Sequence, residues 1–352
     1  MKKLLIAGAV AAALPMFAQA QTNVTMFGVA DAGVAFGSRG AGSSNTLRVD
    51  SGVLSTSRWG VRGQEDLGGG LSAIFWAEAG WNVDDGTGAA GGGGLNFARR
   101  SWVGLQGGFG QIYIGRDYTP GFWGLVGADV FGYGLYGTNL SAFSGQIGAN
   151  NPILDSRQSN AIFWNSPMYG GLQIKAMYSA GEFDTDPKSR GNAAEIAFLY
   201  NAGPVAASFW YHSINSTTNP ILKSKRYGVS GGYNFGAVRV VGGYAASDPD
   251  GATNTGRLIQ VGAGVKLGGG ELMGTLYSMK QQVAAGTEPK STTFGLAYVY
   301  PLSKRTDLYA SLATVHNNST GNYVLAWSGG ATAPFAPGTN PRSLGVGIRH
   351  QF

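Results

Sequence analysis

Across most of this chain apolar side chains recur at every second position, and that period of two is the strongest constraint on its fold. Between Arg226 and Phe235, Tyr227, Val229, Gly231, Tyr233 and Phe235 share one face, while Arg226, Gly228, Ser230, Gly232 and Asn234 share the other. Ile259, Val261, Ala263, Val265 and Leu267 alternate in the same way with Gln260, Gly262, Gly264 and Lys266. Phe294, Leu296, Tyr298 and Tyr300 do so against Thr293, Gly295 and Ala297. Such segments are strands with one oily face and one small, wet face.

Short connections such as Gly68-Gly69-Gly70, Gly203-Pro204 and Ser303-Lys304-Arg305 alternate with longer polar ones, among them Ser38 to Thr46, Asp84 to Leu95 and Asn317 to Asn340. Short turns at one rim and long loops at the other are the pattern of an outer-membrane barrel. Counting by this rule gives about sixteen strands of about ten to twelve residues, long enough for a tilted strand to cross a bilayer. A barrel of that size leaves an aqueous lumen, whereas eight strands would be filled by side chains.

Composition separates this fold from soluble ones with the same alternation. Charged residues are 12% of the chain, about half the share of a soluble globular domain. A sandwich or propeller with so little charge outside would be barely soluble. A mean hydropathy of −0.02, with no apolar run of about 18 residues in the mature chain, excludes a bundle of transmembrane helices. Lipid cannot satisfy a free strand edge, so the sheet must close on itself. The predicted fold class is an all-β, 16-stranded antiparallel transmembrane β-barrel.

Residues 1–20 are predicted to be a cleaved signal peptide: Lys2 and Lys3 form a basic start, Leu4 to Leu14 an apolar stretch, and Ala18-Gln19-Ala20 a cleavage site. The barrel is then 21–352. The absence of Cys removes disulfides, Cys-ligated zinc, iron–sulfur clusters and thiol nucleophiles. Three His, at 212, 316 and 350, have no motif partners, so no cofactor, no metal and no catalytic set is expected. The bases are dispersed along alternating strands rather than gathered in a patch, which argues against nucleic acid as a partner.

One stretch breaks the rhythm. Residues 118–156 show no alternation and are dense in Gly and aromatics, including Phe122, Trp123, Phe131 and Tyr133. A loop of that length in a compact fold is functional or disordered, and its apolar content favours packing on the lumen wall.

Five segments carry a family resemblance. They are Val24-Thr25-Met26-Phe27-Gly28-Val29-Ala30-Asp31-Ala32-Gly33, Ser57-Arg58-Trp59-Gly60-Val61-Arg62-Gly63-Gln64-Glu65-Asp66-Leu67-Gly68, the run from Phe109 to Pro120, the run from Arg157 to Pro167, and the closing Ser343 to Phe352. In that order they resemble the general diffusion porins of Gram-negative bacteria, beta-proteobacterial type. The resemblance implies a homotrimer in the outer membrane, in contact with its lipids and lipopolysaccharide. It further implies a third loop, here 118–156, folded inward as a constriction, and passive diffusion of ions and small hydrophilic solutes. A substrate-specific outer-membrane channel is the alternative, supported by the unusual loop. Outer-membrane enzymes and structural barrels are the readings from other classes, and neither finds a triad or an added domain here.

In such a channel the chemistry is electrostatic, set by the charges at the narrowest level. Arg58 and Arg62 alternate against Trp59 and Val61 and so face the lumen. By motif position Arg58, Arg116 and Arg157 match the family's basic cluster, although Ile112 and Ile114 share the parity of Arg116. Asp129, inside the loop, resembles a family acid, with Asp117 and Asp155 at the loop's ends. Few acids against several inward bases argue for anion preference. Lys175, Arg226 and Arg239 are expected as general wall charge, and Trp76 and Trp210 are inward aromatics by parity, too few for a stacking track. Phe352 resembles the terminal aromatic read by the outer-membrane assembly machinery.

Overall fold

The computed structural model describes residues 23–352 apart from 39–44, 90–93, 95, 140–153, 183–187, 217–222, 250–254, 284–285, 329 and 332–335. The leader reading for 1–20 lies outside the described residues. The strands follow one another as β1 Asn23–Ser38, β2 Thr46–Ser51, β3 Arg58–Gly68, β4 Leu71–Gly80, β5 Arg100–Gly107, β6 Gly110–Tyr118, β7 Arg157–Asn165, β8 Leu172–Ser179, β9 Ala193–Ala202 and β10 Val205–Asn215. They continue as β11 Lys223–Asn234, β12 Val238–Pro249, β13 Thr255–Leu267, β14 Gly270–Gln282, β15 Lys290–Pro301, β16 Thr306–Asn317, β17 Ala326–Trp327, β18 Gly330–Ala331 and β19 Arg342–Gln351. A single helix among the named elements, α1 Pro120–Gly127, opens with Pro at its first turn, where the missing N–H does no harm.

All but the β17–β18 hairpin belong to one antiparallel sheet, which closes through β1 and β19 from Val29↔Gln351 to Ser38↔Arg342. β2 and β3 occupy successive parts of the same edge of β1, at Ala32–Gly37 and Asn23–Val29. They act as one interrupted strand, so seventeen segments fill sixteen positions around the ring. This is the architecture the alternation predicts.

The sidedness is the reverse of a soluble protein. Met26, Ile114, Ile162, Ile259, Val261 and Val346 are exposed, whereas Asp31, Glu195, His212, Gln260 and Thr293 are buried. Only a lipid surround makes that arrangement favourable, because apolar area then meets acyl chains and the polar set meets water or other polar groups inside.

Three segments enter the barrel. The first is α1 with the turns that follow it, lying on β8 to β12. The second is the interruption at 52–57, held by Asp31, whose carboxylate accepts N–H bonds from Val53 (3.1 Å) and Ser55 (2.7 Å). The third corrects an expectation: the connection after β16, predicted as a polar rim loop, places Tyr323, Leu325, Ala326 and Trp327 in the interior core. The Trp327 ring meets Tyr136 edge-on at 5.6 Å, and Gly137 N–H donates to Ala326 O at 3.1 Å. Aromatic contact with the first segment is what draws it in.

Candidate functional site in the barrel lumen

The inward faces of β3, β4 and β5 carry Arg58 and Arg62, Trp76 and Glu78, and Arg100 and Trp102, which the register sets side by side. Arg58, as expected, faces the lumen: its Nη1 donates to Ser55 Oγ and Thr56 O, both at 2.9 Å, and its Nε lies 4.0 Å from Glu78. Arg62 is exposed to the lumen, with its guanidinium 5.1 Å from the Trp76 ring and 5.4 Å from Phe27. Glu78 also takes Arg99 at 2.7 Å. Arg99, just before β5, went unnoticed in the sequence because it stands outside any alternating segment.

β6 is regular against β5 as far as Ser101↔Arg116, but its register against β7 slips between Gly115 and Asp117. One predicted residue lies elsewhere than expected. Arg116 stays in phase with the exposed Ile112 and Ile114 on the outer face, where it donates to Ala98 O (2.6 Å) and Ser159 Oγ (2.7 Å). It is not part of the lumen cluster. Asp117, past the bulge, is buried and accepts both arms of the Arg100 fork at 2.7 Å. Asp117 shares the inner face with the buried Tyr113, and the extra residue of the bulge lies on β7. The next residue, Tyr118, offers its hydroxyl to Arg99 and Arg157, and the Arg157 guanidinium stacks 4.2 Å from its ring. Arg58, Arg62, Arg157 and Asp117 are thus brought together.

Opposite this wall lies α1. Its first turn is anchored on Glu195, which accepts the Gly121 N–H with one oxygen and meets His212 Nδ1 at 2.8 Å with the other. A Cβ at Gly121 would stand 2.9 Å from Trp210, so the helix sits directly on that inward indole and covers it. Trp123 projects from α1 into the lumen, 6.0 Å from the Lys175 ammonium. Beyond the helix the chain follows the wall: Cβ atoms at Gly262 and Gly295 would come within 2.6 Å of Val130 and 2.7 Å of Phe131. Arg239 donates to Val130 O at 2.8 Å, and Arg226 pairs with Asp155 at 2.8 Å. Two bases expected as general wall charge are clamps on the loop.

Asp129 is likewise a correction. It is buried, accepting bonds from Phe131 N (2.9 Å), Asn139 N (3.3 Å) and Thr138 Oγ1. It ties the turn together and does not face the pore. Burial raises its carboxyl above the usual range.

Between wall and helix is a cavity of about 410 Å³ lined by Phe27, Arg58, Trp76, Arg100, Tyr118 and Trp123, among others. Its wall side shows what parity alone undervalued. Phe27 on β1 and Trp76, Trp102, Tyr113 and Phe163 on β4 to β7 form a continuous ladder, which passes over β3 between its first two rings, with centroid steps of 5.0, 6.2, 4.5 and 5.0 Å. Trp102 could have been found from its alternation with Val103 and Leu105. At the other end of the chain, Phe352 lies on the outer face with Leu344, Val346 and Ile348, its ring over Gly28.

The chain matches the Gram-negative porin family over residues 7–320. It belongs to that family. Outer membrane porin protein 32 of Delftia acidovorans is 33% identical over the full length of both chains, and an outer membrane porin protein of Bordetella pertussis is 28% identical, also over both full lengths. The solved anion-selective porin from Comamonas acidovorans superposes with a TM-score of 0.83 at 30% identity, covering 94% of this chain and all of that one. OmpF of Salmonella typhi, at 15% identity and a TM-score of 0.66, shares the fold. As an outer-membrane porin the barrel is a water-filled channel for passive diffusion of ions and small hydrophilic solutes.

Proposed function

We propose that this porin favours anions, and that the selectivity is set where α1 and the turns after it narrow the lumen against β3 to β8. The observation that carries the reading is the charge balance there: among the described residues, Arg58, Arg62, Arg99, Arg100, Arg157 and Lys175 face only Glu78 and Asp117. In a narrow aqueous path between low-dielectric walls such an excess concentrates anions and repels cations. The anion-selective relative from Comamonas acidovorans points the same way.

The same reading takes 1–20 as a removed leader, the mature barrel as a homotrimer whose remaining outer surface meets lipid and lipopolysaccharide, and Phe352 as the group offered to the assembly machinery. The exposed apolar outer face and the terminal aromatic support it.

Reversal potential across a KCl gradient, read from protein in a planar bilayer, tests the selectivity. A chloride-favouring potential is expected. It should shrink as salt rises, since the Debye length falls from about 30 Å at 0.01 M to about 3 Å at 1 M. Conductance in steps of three, together with a heat-sensitive slow band in detergent gels, is expected of the trimer. A cation-favouring potential would overturn the charge assignment.

A further inference from the structure

Most of the aromatic side chains at the β3–β7 wall do nothing for a purely electrostatic filter. We infer that the lumen holds a binding site for planar aromatic carboxylates. The inference rests on the anion reading and deepens it from charge to shape.

Three observations converge. The aromatic ladder presents Phe27 and Trp76 to the cavity, and Trp123, the exposed side chain of α1, borders the same space from the other side. A water-filled passage gains nothing from rings on two opposing walls unless the solute has an apolar face to offer them. Cations are seated on these rings: Arg62 over Phe27 and Trp76, Arg100 at 4.1 Å over Trp76, and Lys175 beside Trp123.

Among the described residues Arg62 has no acidic partner, whereas Arg58 and Arg99 share Glu78 and Arg100 holds Asp117. Its guanidinium lies 5.4 Å and 5.1 Å from the Phe27 and Trp76 ring centroids and makes no hydrogen bond among the described residues, which leaves its N–H groups to take a carboxylate through two parallel bonds. A ligand with a carboxylate on a flat ring matches this set: the carboxylate takes the Arg62 fork, and the ring enters the space bordered by Trp76 and Trp123. Aliphatic carboxylates meet the charge and leave the rings unused. Uncharged aromatics meet the rings and leave the guanidinium unused.

The test is titration of the chloride current through single channels in a planar bilayer with benzoate, acetate, cyclohexanecarboxylate and benzamide, each current scaled to the same channel before addition. Benzoate is expected to halve the current at a concentration about tenfold below that needed for acetate or cyclohexanecarboxylate, with benzamide weaker than all three. Trp123→Ala, at an exposed position, and Trp76→Leu should bring benzoate to the level of acetate, and Trp76→Phe should restore most of the difference. Arg62→Gln should weaken benzoate several-fold. Equal action of benzoate and acetate on the unaltered channel would overturn the site, as would a benzoate preference untouched by either Trp substitution; equal action of cyclohexanecarboxylate would overturn planarity as the criterion. The KCl reversal potential of the same channels separates the two levels, because a chloride-favouring potential with no benzoate preference removes this inference and leaves the anion reading standing.

Discussion

The inner wall of this barrel has two halves built on opposite principles. From β9 round to β19 the wall carries small groups where the inward-folded chain lies closest, Gly243, Gly262, Gly295, Ser311 and Gly345 among them, and its large or charged groups, Glu195, Trp210, Arg226 and Arg239, are engaged by that chain. From β3 to β8 it presents Arg58, Arg62, Trp76, Arg100, Trp102 and Lys175, and is left open. The covered surface lacks side chains where the loop comes closest and spends its charged ones on holding it, whereas the surface that meets solute leaves large and charged side chains open. The difference teaches that the constriction is made as much by what the far wall lacks as by what the near wall displays.

The largest effect should come from inverting the open half. Arg58→Glu with Arg62→Glu changes the lumen charge by four units. At roughly 1 kcal/mol per pair of unit charges 4 Å apart in water-like surroundings, the chloride-over-potassium ratio from reversal potentials should fall by about tenfold or more. An unchanged ratio would mean the open half is not where ions are sorted.

Giving the covered half side chains should come next. Leu at Gly262 or Gly295 collides with Val130 or Phe131, and overpacking of this kind costs about 1–3 kcal/mol. The loop should leave the wall for part of the time, seen as a larger and noisier single-channel conductance in an otherwise intact barrel. Quiet, unaltered channels would show that the close glycine contacts do not hold the loop.

A smaller effect is expected at Asp129, which belongs to the covered half despite its charge. Its carboxyl is raised by burial, so the docked loop prefers the protonated form. Docking should be firmest below the ordinary carboxylate value of 3.8 and should weaken as pH rises through the raised one. Open-channel noise measured from about pH 4 to pH 8 should therefore grow with pH. Asp129→Asn should flatten that dependence while leaving the reversal potential alone. A shift in selectivity would return Asp129 to the pore. Smallest of all, Arg116→Ala on the outer face should leave selectivity unchanged within error; a measurable loss would place its guanidinium in the ion path.

Much of this was readable from the chain. Alternation carried the barrel, its strand count, and the inward direction of Arg58, Arg62 and Trp76, because a strand in lipid has only two environments to choose between. What alternation cannot carry is a break in phase. Where β6 meets the bulge on β7, between Gly115 and Asp117, Tyr118 leaves the parity of Ile114 and Arg116 and enters the lumen cluster, and no residue type there announces it. Asp129 illustrates a second blind spot: a carboxylate in a loop reads the same whether it meets solute or its own backbone. The aromatic ladder was half visible, since Trp102 alternates plainly, but its continuity depends on cross-strand register over six strands, β1 and β3 to β7, which no single segment encodes. Arg226 and Arg239 were placed on the correct face, and their task as clamps emerged only with the partners at Asp155 and Val130.

The covered half has a consequence for the order in which this molecule can be made. Most of the wall that receives α1 and the turns after it, from β8 to β19, lies later in the chain than the segment it receives; the earlier contacts are those of Leu135 N–H with Val53 O and of the Tyr136 hydroxyl with Asp50. The seam between β1 and β19 joins residues as far apart as Val29 and Gln351. Contacts of such sequence separation form late, after the loop-closure entropy has been overcome. The newly made constriction segment therefore lacks most of its resting surface until nearly the whole wall exists. The pore must form wide first and become selective last, so a chain stalled before its final strands is an open-edged sheet with an unfastened filter.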